Sequence, residues 1–175
     1  IEFRRKEYDE INKYCKKLKI EWFSSVWDLP SLKFMMKYRP KFHKVASSMI
    51  TNNKLLENIA RTKIKTFIST GMSSMKEIDN AINIFKKYRC PFVPMHSVSI
   101  YPCPLEKLNL KMITTLKEKY KCSVGYSGHE VNVIPSVQAA ILGADYIERH
   151  ITTDRALWGT DQAASLGPDG ITVLR

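Results

Sequence analysis

Two histidines near the C-terminal end of the sequence, His129 and His150, each close a short apolar run, SVGYSGH (123–129) and DYIERHI (145–151). If those runs are neighbouring strands, the chains lie about 4.8 Å apart, and two imidazoles at their ends can share a divalent cation while leaving its other positions to water and substrate. A lone histidine at a strand end is equally well explained by a structural hydrogen bond, so the pair carries the suggestion of a metal. Glu148 precedes His150 by two positions and shares its strand face. There it can orient a ligand or handle a proton, or serve as a satisfied interior carboxylate.

Lys44 lies among apolar and small residues in FHKVASS (42–48). An ammonium on such a strand needs an anionic partner, because burying it unpaired is costly. Ser47, Ser69, Ser99 and Ser127 fall at or just after the ends of neighbouring runs. Lysine, hydroxyls and backbone N–H groups together suit a phosphate or carboxylate, although any one of these serines reads equally well as a turn residue. Tyr101, in the proline-stiffened SIYPCP (99–104), can present its hydroxyl or simply pack. In the polar stretch 153–170, Asp161 is the candidate substrate-facing carboxylate, although spacing alone does not select it over Asp154.

The elements that must position these groups are strands followed by helices. Six β-rich runs (21–27, 42–48, 65–70, 91–97, 123–128 and 145–151) alternate with helical patterns. Ile78, Ala81, Ile82 and Phe85 form one apolar face, opened by a capping box of Ser74 and Glu77. Met112, Leu116 and Tyr120 form another, and Tyr8, Ile11, Cys15 and Leu18 a third. Repeated βα units imply a parallel sheet with right-handed crossovers, either open and doubly wound or a (β/α)8 barrel. Polar residues end every run, including Ser24, Ser25 and His96, and only a barrel brings all such ends to one mouth. Neither GxGxxG nor GxxxxGK is present. The expected fold is therefore an incomplete (β/α)8 barrel of about six units.

The chain has 175 residues, 44% of them hydrophobic, which excludes wholesale disorder. Lys and Arg number 28 against 17 Asp and Glu, a net charge of +11 that is concentrated in residues 1–65, whereas residues 126–175 are net acidic. The basic half reads as a solvated lysine-rich helix face, with a nucleic-acid-binding module as the rival from another class, since no aromatic and basic interleaving accompanies the charge. The four cysteines form no Cys-x-x-Cys pair. Reduced thiols, no apolar run of membrane-spanning length and no signal-peptide core lead to the expectation of a cytoplasmic protein without membrane or nucleic-acid partners. The start at Ile1 suggests a fragment.

Taken together, FSSVWD (23–28), KVASS (44–48), ISTGM (68–72), HSVSIYPCP (96–104), GYSGH (125–129) and IERHITTDR (147–155) resemble the catalytic barrel of the sialic acid synthase family. The resemblance covers almost the whole chain and implies condensation of phosphoenolpyruvate with an N-acyl amino sugar to a nine-carbon 2-keto acid, with release of phosphate. Legionaminic or pseudaminic acid synthesis is the variant within the same chemistry. It further implies a divalent metal on His129 and His150, Mn2+ first with Mg2+ or Co2+ as alternatives. Lys44, Ser47, Ser69 and Ser127 match positions that hold phosphoenolpyruvate, with Ser25, Ser99 and Tyr101 at further motif positions. Tyr101 and Asp161 fall on the sugar side, and Glu148 is the candidate for proton handling. Met49 stands where some members carry an acidic residue, and GTDQ replaces their PGPD. The family pattern also implies that this chain holds barrel strands three to eight, without the first two strands or a C-terminal antifreeze-like domain. The whole protein is expected to be a homodimer and this portion alone to be poorly stable, with an inactive fragment as a further alternative.

Overall fold

Alternation along five short strands separates the molecule into an inner and an outer face, and the computed structural model describes residues 3–175. The strands are β1 (His43–Val45), β2 (Thr66–Ser69), β3 (Phe92–Ser97), β4 (Gly125–Gly128) and β5 (Tyr146–Arg149), all parallel and in the order of the chain. Val45, Ile68 and Tyr126 point outward into the main core, while Lys44, Phe67, Ser127 and Glu148 occupy the alternate positions of the same strands.

Among the described residues seven α-helices accompany the sheet: α1 (Arg5–Leu18), α2 (Leu29–Met36), α3 (Asn53–Arg61), α4 (Met75–Lys87), α5 (Met112–Tyr120), α6 (Ile134–Ile141) and α7 (Pro168–Leu174). The capping box opens α4 as expected: Glu77 Oε2 accepts from the Ser74 N–H at 2.7 Å, and Ser74 Oγ accepts from the Glu77 N–H. The face that α4 buries is Ile78, Ala81, Ile82 and Phe85. Each large side chain there contributes roughly 1.5–3 kcal/mol by leaving water. Phe85 is fully buried, and Phe85→Ala would cost about 3–5 kcal/mol. Helix α3 adds Leu55, Leu56, Ile59 and Ala60 to the same layer, with Asn52 capping its N-terminus through the Leu55 N–H.

Inside the curl of the sheet lies a second, smaller cluster. Phe67, Val93 and Met95 are buried there with Phe23, Phe42 and Tyr146 against them. The Phe67 ring lies 5.1 Å from that of Tyr146 and 5.5 Å from that of Phe42, centroid to centroid. β2 and β5 are separated by two intervening strands, so contact between their side chains requires a strongly curved sheet. The fold is a curled half-barrel of the (β/α)8 type.

Three sequence expectations are corrected. The run 21–27 is not a full strand but a single parallel bridge, Ser25 to Lys44. Pairing reaches it from one side among the described residues, and the Asp28 cap of α2 ends it. The expected face of α1 is not buried. Leu18 is exposed, and Tyr8 packs instead on Trp22 and Phe34. In α5 Leu116 and Tyr120 are buried as expected and Met112 packs half-buried against the core, but the face is wider than expected and includes the fully buried Ile113.

Candidate active site

The C-terminal ends of the strands converge on a cavity of about 620 Å³. Period-two spacing builds it in levels. The pairing registers give a first row of Lys44, Phe67 and Val93, a second of Ser69, Met95, Gly125 and Tyr146, and a third of Ser97, Ser127 and Glu148. Above these lie His129, His150, Ser99 and Tyr101. Ten of the eleven expected site residues line the space: Ser25, Lys44, Ser47, Ser69, Ser99, Tyr101, Ser127, His129, Glu148 and His150. Asp161 lies outside it, over the mouth, with Oδ2 at 3.5 Å from His150 Nδ1.

Lys44 is nearly buried and donates to both oxygens of Glu148, at 2.7 and 2.8 Å. Ser127 Oγ donates to the same carboxylate at 2.8 Å. Burial pushes the Lys44 ammonium below its ordinary pKa, and Glu148 offsets part of that. Burial alone would raise Glu148, but the Lys44 charge and the Lys44 and Ser127 hydrogen bonds hold its carboxyl below the usual range. The two groups therefore form a charged pair at neutral pH. An entering anion would compete with Glu148 for Lys44.

Around Gly71 the backbone comes close to two serines. Its N–H donates to Ser47 Oγ at 3.1 Å, and a Cβ there would overlap Ser99 Oγ and lie 2.9 Å from Ser47 Oγ. Glycine at this position lets the buried backbone pack directly against two hydroxyls that line the cavity, and hydroxyls there suit an oxyanion.

His129 is buried, and its Nδ1 donates to the Val98 carbonyl at 2.7 Å. A carbonyl only accepts, so Nδ1 carries the hydrogen and Nε2 keeps its lone pair. Burial, with a smaller contribution from His150, lowers the His129 pKa and favours this neutral form. The His129 and His150 ring centroids are 5.2 Å apart, and the Tyr101 ring covers His129 at 4.1 Å. Tyr101 joins Pro102 through a cis peptide bond. Burial, then the charges of Asp161 and Glu148, raise its hydroxyl pKa, so it remains a donor. Among the described residues no three His, Cys, Asp or Glu side chains cluster as a metal site. Two neutral-capable imidazoles, one fixed by a carbonyl, nevertheless fit a cation that takes its remaining ligands from water or substrate.

Other residues join the site to which the sequence assigned no role. Phe23, Trp27, Ala46, Ser48, Met72 and Arg149 line the cavity. The parity of Ala46 with Lys44 was available as a signal; Met72, in a left-handed conformation at φ 59°, gave none. His96 turns away, with Nε2 at 2.7 Å from the Leu108 carbonyl. Met49 packs against the main core.

A family model described as NeuB family matches residues 1–175, the entire chain. The chain belongs to the NeuB family. Among NeuB relatives, it is 35% identical to the N,N'-diacetyllegionaminic acid synthase of Campylobacter jejuni, over 99% of this chain and 53% of that protein. It is 32% identical to the N-acetylneuraminate-9-phosphate synthase of Drosophila melanogaster, over 99% of this chain and 47% of that one. The chain thus spans about half the length of the curated NeuB relatives it matches. The crystal structure of the N-acetylneuraminic acid (sialic acid) synthetase of Leptospira borgpetersenii, in complex with citrate, superposes with a TM-score of 0.95 at 36% identity, covering 99% of this chain and 61% of that one.

Proposed function

We propose that this NeuB half-barrel supplies the phosphoenolpyruvate-binding face of an enzyme that condenses phosphoenolpyruvate with an N-acyl amino sugar, N-acetylmannosamine or a relative, to a nine-carbon 2-keto sugar acid. The observation that carries the proposal is the gathering of Lys44, Glu148, four strand-end serines and two histidines around one cavity. Support also comes from relatives named for such acids. Because the two relatives quoted carry names of different acids at 35% and 32% identity, the proposal is made for the N-acyl amino sugar class.

In the proposed reaction, C3 of phosphoenolpyruvate forms a bond to the sugar's aldehyde carbon, whose oxygen gains a proton. Water adds at C2, and phosphate leaves by C–O cleavage. Lys44 neutralises the three-carbon anion, and Ser47, Ser69, Ser99 and Ser127 with the Gly71 N–H orient its oxygens. Glu148, released from Lys44 by the incoming anion, is placed to accept the proton of the attacking water. Tyr101 donates at the sugar side, and Asp161 accepts a sugar hydroxyl. His129 and His150 would hold a divalent cation, Mn2+ first with Mg2+ or Co2+ as alternatives, which supplies Lewis acidity at the carbonyl oxygen when bound. The working enzyme is proposed to be a soluble cytoplasmic homodimer; no helix among the described residues is long and apolar enough to cross a membrane.

The test is phosphate release by the full-length protein with phosphoenolpyruvate and a panel of 2-acylamino sugars, the products weighed by mass spectrometry. A nine-carbon keto acid from one of them supports the reading. No phosphate release with any sugar, in protein that binds phosphoenolpyruvate and Mn2+, would refute it.

A further inference from the structure

Behind the two imidazoles lies a buried ionic network that the proposed chemistry does not use. Glu130 follows His129 and is fully buried, and Arg149 precedes His150 with 3% of its side chain exposed. Arg149 Nη1 donates to Glu130 Oε1 at 2.8 Å, to the Asn132 carbonyl at 2.9 Å and to Ser136 Oγ at 3.0 Å. Its Nη2 donates to the Glu130 carbonyl, and the Tyr126 hydroxyl donates to Glu130 Oε2 at 2.8 Å. Gly128 pairs in register with Arg149, so the histidines are the next residue on each chain. A Cβ on Gly128 would lie 2.6 Å from Glu130 Oε2 and 2.7 Å from the Tyr126 ring, so the end of β4 is seated directly on the Glu130 carboxylate.

This arrangement is a poor way to gain stability. Desolvation offsets much of a buried pair's attraction, and Arg149 Nε is buried without a hydrogen-bond partner. What it does supply is geometry. One planar guanidinium grips the side chain and the backbone carbonyl of the residue after His129, and is itself the residue before His150.

We infer that Glu130 and Arg149 are positioning residues that set the His129 and His150 imidazoles at the spacing at which both ligate one divalent cation. The inference rests on the two-histidine reading proposed above. Lysine in place of Arg149 would keep the charge but lose the fork, so charge alone does not restore the spacing.

The experiment is Mn2+ titration of the full-length protein, followed by the electron paramagnetic resonance signal of free aquo-Mn2+, on the wild type and on His129→Ala, Arg149→Met, Arg149→Lys and Glu130→Gln. Circular dichroism and urea midpoints establish which variants are folded. The expected result is saturable binding by the wild type, none by His129→Ala, and affinity about 10–100-fold weaker in folded Arg149→Met, Arg149→Lys and Glu130→Gln. Folded variants that bind Mn2+ within twofold of the wild type, however unstable, overturn the positioning role and leave the two-histidine reading standing. A wild type with no saturable Mn2+ binding, or one matched by His129→Ala, overturns that reading and the inference with it. If Arg149→Met does not fold, the near-isosteric Glu130→Gln decides by the same criterion.

Discussion

Lys44 Nζ lies 2.7 and 2.8 Å from the two carboxylate oxygens of Glu148, joining the first and last strands of the five-stranded sheet across its concave face. In a flat sheet those strands would stand about 19 Å apart, beyond the reach of the two side chains. The contact is therefore both a product of the curl and a brace for it.

Removing one partner strands the other. Lys44→Met leaves Glu148 with Ser127 as its remaining side-chain partner, and is expected to destabilise the protein by about 1–3 kcal/mol, below the roughly 3–5 kcal/mol of a fully buried pair because Glu148 is partly exposed. The double variant Lys44→Met with Glu148→Leu is expected to recover part of that loss. Urea midpoints for the single and double variants check this; a double variant at least as unstable as the single one would contradict it.

His43, outward on β1 with Nε2 at 3.2 Å from Thr62 Oγ1, is pushed by burial from its ordinary pKa of 6.5 down to about 4. The unfolded chain therefore takes up this proton first as pH falls. The stability His43 confers is complete above about pH 6.5 and is lost on the way down to about pH 4, by an amount on the order of 3 kcal/mol. Glu148 adds a limb at lower pH, present above the ordinary carboxylate value of about 4.3 and lost as pH falls through its lower folded value. Stability measured from pH 7 to pH 4 in the wild type and His43→Asn checks the first limb, which the variant should lack.

Gly71→Ala puts a methyl group against the hydroxyls of Ser47 and Ser99, which line the cavity. The hydroxyls must swing aside, at an expected cost of about 1–2 kcal/mol, and so leave the positions from which they would meet an anion. Phosphoenolpyruvate binding, followed by calorimetry, is expected to weaken at least about tenfold, which corresponds to about 1.4 kcal/mol. Unchanged affinity would remove Ser47 and Ser99 from the proposed anion site.

Tyr101 divides its work between ring and hydroxyl. The ring covers His129, so Tyr101→Phe should keep Mn2+ affinity within about twofold, whereas Tyr101→Ala forfeits the aromatic contact, about 0.5–1.5 kcal/mol. The sugar KM is expected to rise in both variants, because both lack the hydroxyl. A Phe variant with the wild-type sugar KM would count against the hydroxyl's role.

The residues read as site candidates converge because the signal they carry, polarity at the end of an apolar run, is also the geometry of a barrel mouth. Lys44 was legible as a paired interior ammonium, but its partner was not: Glu148 lies 104 residues away in sequence, and only the curvature brings them together. The grip of Arg149 on Glu130 was not legible for a related reason: the two lie 19 residues apart, and only the pairing of β4 with β5 brings them together. The run 21–27 has strand composition, yet composition says nothing of how many neighbours a segment will find. Along α1 the apolar spacing was genuine but had little to cover, and aromatic packing through Tyr8 and Trp22 replaced the expected buried stripe.

The layering of the cavity carries a kinetic consequence. Phe23, Phe42, Phe67 and Tyr146 pack together on the concave face, with Phe67 in register beside Lys44, and the polar lining groups lie toward the strand ends. A ligand resting on Lys44 then lies below whatever meets His129, His150 and Asp161. On the proposed reaction, the anion held by Lys44 would enter before the sugar and leave after it, an ordered addition that initial-rate kinetics of the full-length enzyme would reveal.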